Sequence, residues 1–92
     1  MVSRYLVWTY SNVAHIARHG IRPQDAESLL ARPVVVQRGR KGYHCYYGKD
    51  GGGRYLVVVL DPLKSGRWYV VTARLMTDAE RRLYERKGKG RR

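Results

Sequence analysis

Six consecutive residues, Tyr55-Leu56-Val57-Val58-Val59-Leu60, carry no charge and no polar alternation. A strand with one wet face alternates apolar and polar residues, so an unbroken β-branched run belongs to a strand covered on both faces. The run therefore predicts a central strand, Arg54–Leu60, and its neighbours in sequence supply the rest of a sheet. Asp50-Gly51-Gly52-Gly53 reads as a hairpin turn that permits positive φ, and Tyr43–Lys49 before it reads as a strand. Val34–Arg38 is another, joined through the basic turn Gly39-Arg40-Lys41-Gly42. Asp61–Gly66 turns the chain again, and Arg67–Arg74 completes a four-strand meander.

The flanks are helical, apart from a first strand at Arg4–Trp8. Ser11 can cap a helix over Asn12–His19, with Gly20 as its stop. Val13, Ile16 and Ala17 form its core stripe, and Asn12, His15 and His19 fall on the opposite side. Pro23 starts a second helix with Asp25 and Glu27 in its first turn, Ala26, Leu29 and Leu30 on its buried face, and Pro33 beyond its end. The two should form a tight pair. Thr77 and Glu80 make a T-x-x-E capping box, which starts a last helix over roughly Asp78–Lys87. The order is β-α-α-β-β-β-β-α. It predicts an α+β fold, an antiparallel sheet with helices packed to one side. One domain spans residues 1–87, and the basic tail, residues 88–92, should be disordered.

Nineteen basic residues face seven acids in the 92, a formal net charge of +12, and fourteen of the nineteen are arginine. Arginine presents a planar fork that matches phosphate. With eight tyrosines and two tryptophans, this composition points to a polyanionic partner, most simply nucleic acid. Cys45 is the single cysteine, so no internal disulfide can form and a cytoplasmic setting is expected. No stretch approaches a membrane span. The start has no signal-peptide layout.

No metal site is expected: His15 and His19 have i, i+4 spacing, but no third ligand is marked. Nor does Gly51-Gly52-Gly53 have the Lys-Ser/Thr of a phosphate loop. What remains is a set of cations, histidines and tyrosines with few carboxylates, suited to phosphate chemistry without metal or cofactor. RNA brings its own nucleophile, the 2′-OH. A ribonuclease then needs proton transfer, which histidine performs near neutral pH, and charge stabilisation on phosphorus, which arginine supplies.

Each candidate also has a structural reading. Arg74 at its strand end either holds phosphate or pairs with Glu80 or Asp78. Arg54 either contacts phosphate or flanks the central strand in solvent. His19 at a helix C-terminus suits the dipole, and His15 reads as surface or packing. Either His44 and Tyr46 or the alternating set Tyr43, Cys45 and Tyr47 faces the core. Tyr84 is core packing or a site residue. Glu80 is a capping residue first and a base second.

Several segments together resemble a family. Trp8, Asn12, Arg18-His19-Gly20 and Asp25-Ala26 carry the likeness near the start. Gly48-Lys49 and Arg54-Tyr55-Leu56-Val57-Val58-Val59 carry it in the middle. Val71-Thr72-Ala73-Arg74 and Thr77-Asp78-Ala79-Glu80-Arg81-Arg82-Leu83-Tyr84 carry it at the end, most specifically. Over residues 5–86 the chain resembles the BrnT group of toxins from bacterial type II toxin–antitoxin pairs, within the RelE-like ribonuclease superfamily. It departs at Tyr43, where the family often has arginine (Arg40 and Lys41 precede it), and at Thr9, where the family often has an acid.

The resemblance implies a RelE-like α+β fold, cleavage of RNA, and an antitoxin partner that masks the toxin and binds DNA as a dimer. Carried over by position, the site comprises His19, Lys49, Arg54, Arg74, Glu80 and Tyr84. The resulting expectation is a metal-independent endoribonuclease that inhibits translation. His19, Arg54, Arg74, Tyr84 and Glu80 would be its catalytic residues, with Lys49, Arg40, Lys41, Arg81 and Arg18 binding RNA. An acidic antitoxin would be its protein partner. A non-catalytic nucleic-acid-binding domain, or a basic module for an acidic protein, would share the same composition.

Overall fold

A computed structural model describes residues 5–89 of the chain, with side chains through residue 87. The element order is β1 (Tyr5–Val7), α1 (Tyr10–Ala17), α2 (Pro23–Leu30), β2 (Val35–Arg38), β3 (His44–Lys49), β4 (Tyr55–Pro62), β5 (Arg67–Leu75) and α3 (Asp78–Lys89). This is the α+β arrangement β-α-α-β-β-β-β-α. The last helix runs past Lys87 to Lys89, through part of the predicted tail. Residues 90–92 of that tail, and residues 1–4, lie outside the described residues.

The five strands form one sheet in the order β1-β5-β4-β3-β2. The meander β2 to β5 is antiparallel throughout. The sheet as a whole is mixed, because β1 pairs with β5 in parallel, Tyr5 opposite Arg67 and Val7 opposite Tyr69. The wholly antiparallel expectation fails at that one ladder, since the chain comes back to β1 only through β5, after both helices and the rest of the meander.

As its sequence demands, β4 sits at the centre. Leu56, Val57, Val58 and Leu60 are buried. Residues on a strand alternate between faces. Leu56, Val58 and Leu60 join Tyr46, Val70 and Ala73 in the main core with Ile16 and Ile21, and with Ala26 and Leu29 of α2. Each fully buried aliphatic side chain contributes about 1.5–3 kcal/mol by leaving water. His44 and Tyr46 therefore take the helix-covered face, and Cys45 and Tyr47 take the other. Gly48 lies under α2, where an added Cβ would come 3.4 Å from Leu29 and 3.2 Å from Val34.

α1 packs chiefly on β5 and α2 on β3, so the two helices spread over the sheet and do not form a tight pair. The cap of α1 is Thr9, not Ser11. Asn12 NH donates to Thr9 Oγ1 (3.1 Å) and Thr9 NH donates to Asn12 Oδ1 (2.7 Å). The helix accordingly ends at Ala17, and Gly20 adopts φ 75° in the turn that follows. Asn12 faces inward, opposite to its sequence assignment, and is buried. Its side-chain amide donates to the carbonyls of Val7 (2.9 Å) and Val70 (3.2 Å). It thus takes up strand carbonyls where the short β1–β5 ladder stops. Among the described residues no helix is long and apolar enough to cross a membrane.

Candidate functional site

The sheet face away from α1 and α2 carries Arg74 together with Tyr47, Cys45, Thr72 and Tyr69. Register places Val57 between Tyr47 and Arg74, Val59 between Cys45 and Thr72, Tyr55 opposite Lys49, and Asp61 opposite Tyr69. α3 covers only one end of this face. Val57, at that end, is fully buried, whereas Cys45, Val59, Tyr69 and Thr72 stay half-exposed.

Arg74 stands at the boundary between the covered and open parts. It is the penultimate residue of β5 and 37% exposed in its side chain. Its NH1 donates to Glu80 Oε1 (2.8 Å) and to the Leu75 carbonyl (3.2 Å), and its NH2 to Glu80 Oε2 (3.0 Å). These bonds use three of the five guanidinium N–H groups. The Thr77–Glu80 capping box forms as its sequence predicts: Thr77 NH donates to Glu80 Oε1 (2.9 Å), and Glu80 NH to Thr77 Oγ1 (3.2 Å). Glu80 therefore clamps Arg74 and starts α3 with one carboxylate. The Arg74 hydrogen bonds hold its pKa below the usual glutamate value, which makes it a weak proton acceptor. Beside Arg74, Cys45 and Tyr47 lie two residues apart on one face of β3, and burial pushes both of their pKa values up.

One turn further along α3, three predicted residues converge on Tyr55. Tyr84 meets its ring edge-on, with centroids 5.9 Å apart. The Arg81 guanidinium lies 4.0 Å from the ring centroid and Lys49 Nζ 4.9 Å. The Tyr55 hydroxyl donates to Glu85 (3.1 Å). Stacking of this kind orients Arg81 and Lys49, and Arg81 Nε also pairs with Glu85 (3.7 Å).

Arg54 is placed elsewhere. Its Nε donates to Asp50 Oδ2 (2.9 Å) and its NH1 to the Gly20 carbonyl (3.0 Å), and its NH2 pairs with Asp25 (3.0 Å). Arg22 also pairs with Asp25 (3.1 Å), and Asp50 accepts the Gly52 and Arg54 amides of the hairpin turn. Asp25 is lowered to about 2, chiefly by the Arg22 hydrogen bonds against the cost of burial. Arg54 thus ties three chain segments together on the other side of the sheet from Arg74. The two arginines do not converge on one phosphate.

His19 and Arg18 are exposed in the turn after α1, and Arg40 and Lys41 are exposed in the 3₁₀ turn between β2 and β3. Among the described residues none of the four bonds or pairs with Arg74. The histidine that does approach the open face is His15. Its Nε2 lies 3.0 Å from Thr72 Oγ1, and its ring packs edge-on against His19, centroids 5.4 Å apart. Thr72 and Arg74 are two residues apart on one strand face, about 6.7 Å. Sequence reasoning read His15 as surface or packing. The available signal was its shared helix side with His19, but the Thr72 contact spans the chain and has no local signature.

Among the described residues no three His, Cys, Asp or Glu side chains gather to hold a metal ion. No protein-family model matches the chain, and no curated protein matches it in sequence.

Proposed function

We propose that this chain is a metal-independent endoribonuclease, the toxin of a toxin–antitoxin pair. It would act in the cytoplasm to inhibit translation and be masked by an acidic antitoxin that binds DNA as a dimer. The observation that carries the reading is the His15–Thr72 hydrogen bond, with Thr72 one strand repeat from Arg74 along β5. The net charge of +12 supports a polyanionic substrate. The family resemblance of the segments around Arg74 and Glu80 supplies the toxin reading.

In this mechanism Arg74 holds the scissile phosphate and offsets the charge that builds on the phosphorane. His15 transfers protons. The Thr72 hydroxyl accepts from Nε2–H and so holds the ring with Nδ1 free. Nδ1 then accepts the 2′-OH proton, giving the imidazolium. That imidazolium, Nε2–H still donating to Thr72, returns the proton from Nδ1 to the leaving 5′-oxygen. The 2′-oxygen attacks phosphorus as the P–O5′ bond breaks, leaving a 2′,3′-cyclic phosphate and a 5′-OH. Lys49 and Arg81 bind the flanking backbone, and Tyr84 supports Tyr55 beneath them.

The test is incubation of the purified chain with end-labelled single-stranded RNA in EDTA, beside the Arg74→Ala variant, with the same pair assayed in a translating extract. Cleavage to cyclic-phosphate ends by the wild-type chain alone is the expected result. Salt-sensitive binding with no product in either setting would overturn the nuclease reading and leave a nucleic-acid-binding domain.

A further inference from the structure

The half of the sheet face that α3 leaves open has its own character. It runs from Arg74 through the row Cys45–Val59–Thr72 to Asp61 and Tyr69, roughly 13 Å or two strand repeats away. Tyr43, in extended backbone with φ −68° and ψ 151°, continues the alternation of β3 beside this last row. All these residues except Arg74 are uncharged or, in Asp61, acidic. Basic residues sit at both ends. Arg74, Arg81 and Lys49 lie at one, and Arg40 and Lys41, exposed in the β2–β3 turn, lie at the other.

We propose that this shelf is a nucleobase-binding site, in which the Tyr69 ring stacks an unpaired base flanking the phosphate held by Arg74. The inference rests on RNA being the ligand of the Arg74 site, and it assigns the substrate class as single-stranded. Three features carry it. The shelf is apolar and aromatic between two cationic ends, so the backbone is drawn to the ends and a base fits between them. Asp61, opposite Tyr69, repels a phosphate from the row that holds the Tyr69 ring. A base stacked inside a duplex presents no free face to Tyr69, whereas an unpaired one does.

The experiment titrates the whole chain into an oligoribonucleotide with a single 2-aminopurine, its 2′-OH groups beside the probe replaced by hydrogen so that it cannot be cut. Fluorescence reports stacking independently of cleavage. Wild-type chain and Tyr69→Phe are expected to quench the probe. Tyr69→Leu, which keeps an apolar side chain but no ring, is expected to lose the quenching and to bind about tenfold more weakly. Duplex carrying the same probe should bind equally to all three proteins, without quenching. Circular dichroism of each variant confirms the fold, and if Tyr69→Leu unfolds, Tyr69→Met, also without a ring, takes its place in the comparison. Equal quenching by Tyr69→Leu, or no quenching by the wild type, overturns the shelf. Quenching as expected with no cleavage of the all-ribose strand overturns the nuclease reading and leaves the shelf standing.

Discussion

Glu80 occupies the fork of Arg74 with both carboxylate oxygens, at 2.8 and 3.0 Å, in the bidentate geometry a phosphate would use. An incoming phosphate and Glu80 would therefore compete for one guanidinium. Glu80→Gln removes the competing charge but keeps an acceptor for the Thr77 amide. A partly exposed pair of this kind is worth at most about 1 kcal/mol, so the variant should bind a short uncleavable RNA roughly fivefold more tightly. Its Tm should fall by about 5 °C. Filter binding at low salt and a thermal melt check both, and weaker binding would show that Glu80 assists the anion instead.

His15 and Thr72 separate chemistry from positioning. His15→Gln should lower the cleavage rate about 10²- to 10⁴-fold with RNA affinity unchanged. Thr72→Val removes only the hydroxyl that orients the ring, so kcat should fall with little change in KM. The Thr72→Val profile of rate against pH should keep its shape at reduced height, while His15→Gln should lose one ionisation limb. His19→Gln serves as the comparison, and a larger loss there than at His15 would move the proton-transfer role to His19.

What could be read from sequence is what depends on near neighbours. The β4 run names its own central place, and Thr77 and Glu80 name their cap, because both patterns close within a few residues. Arg74 was legible for the same reason, since its clamp lies six residues away. Asn12 and His15 were not, because their partners Val70 and Thr72 lie 58 and 57 residues along the chain. For the same reason Arg54 resembled a phosphate ligand: Gly20 and Asp25 become its partners only when the two helices settle on the sheet, although Asp50 lies only four residues away. The parallel β1 ladder is hidden too, since nothing local distinguishes the pairing direction of a three-residue strand.

The Arg54 network predicts an acid-sensitive fold. Asp25 has a folded pKa of about 2 against an ordinary 3.8. A depressed carboxylate contributes stability that is present above its unfolded pKa and lost as pH falls through the folded value. Asp50 is lowered as well. Stability should therefore hold above about pH 4 and decline from there toward pH 2, with Asp25 accounting for on the order of 1–2 kcal/mol after solvent screening. Urea denaturation across that range checks it. In Asp25→Asn the decline should be shallower. Arg54→Ala should cost about 1–2 kcal/mol at pH 7, because it removes the guanidinium bonds to Asp50, Asp25 and Gly20 while Arg22 still pairs with Asp25 and the turn amides still serve Asp50, yet leave RNA affinity intact while folded. A specific loss of affinity would return Arg54 to the binding site.

Asn12 performs three jobs at once: it receives the Thr9 amide, places its own amide on the Thr9 hydroxyl, and bridges the carbonyls of Val7 and Val70. Among the described residues no buried side-chain polar atom lacks a partner, and Asn12→Ala would orphan strand carbonyls that this amide serves. The loss should be about 2–3 kcal/mol, the sum of a helix cap and an unsatisfied buried acceptor. Asn12→Asp separates the two contributions, since its carboxylate can still receive the Thr9 amide but cannot donate to Val7 and Val70. It would also set a negative charge against their carbonyl oxygens. Asn12→Asp should therefore be at least as unstable as Asn12→Ala in urea, despite being the better cap. The opposite order would mean that the cap, not the strand bridge, is what Asn12 supplies.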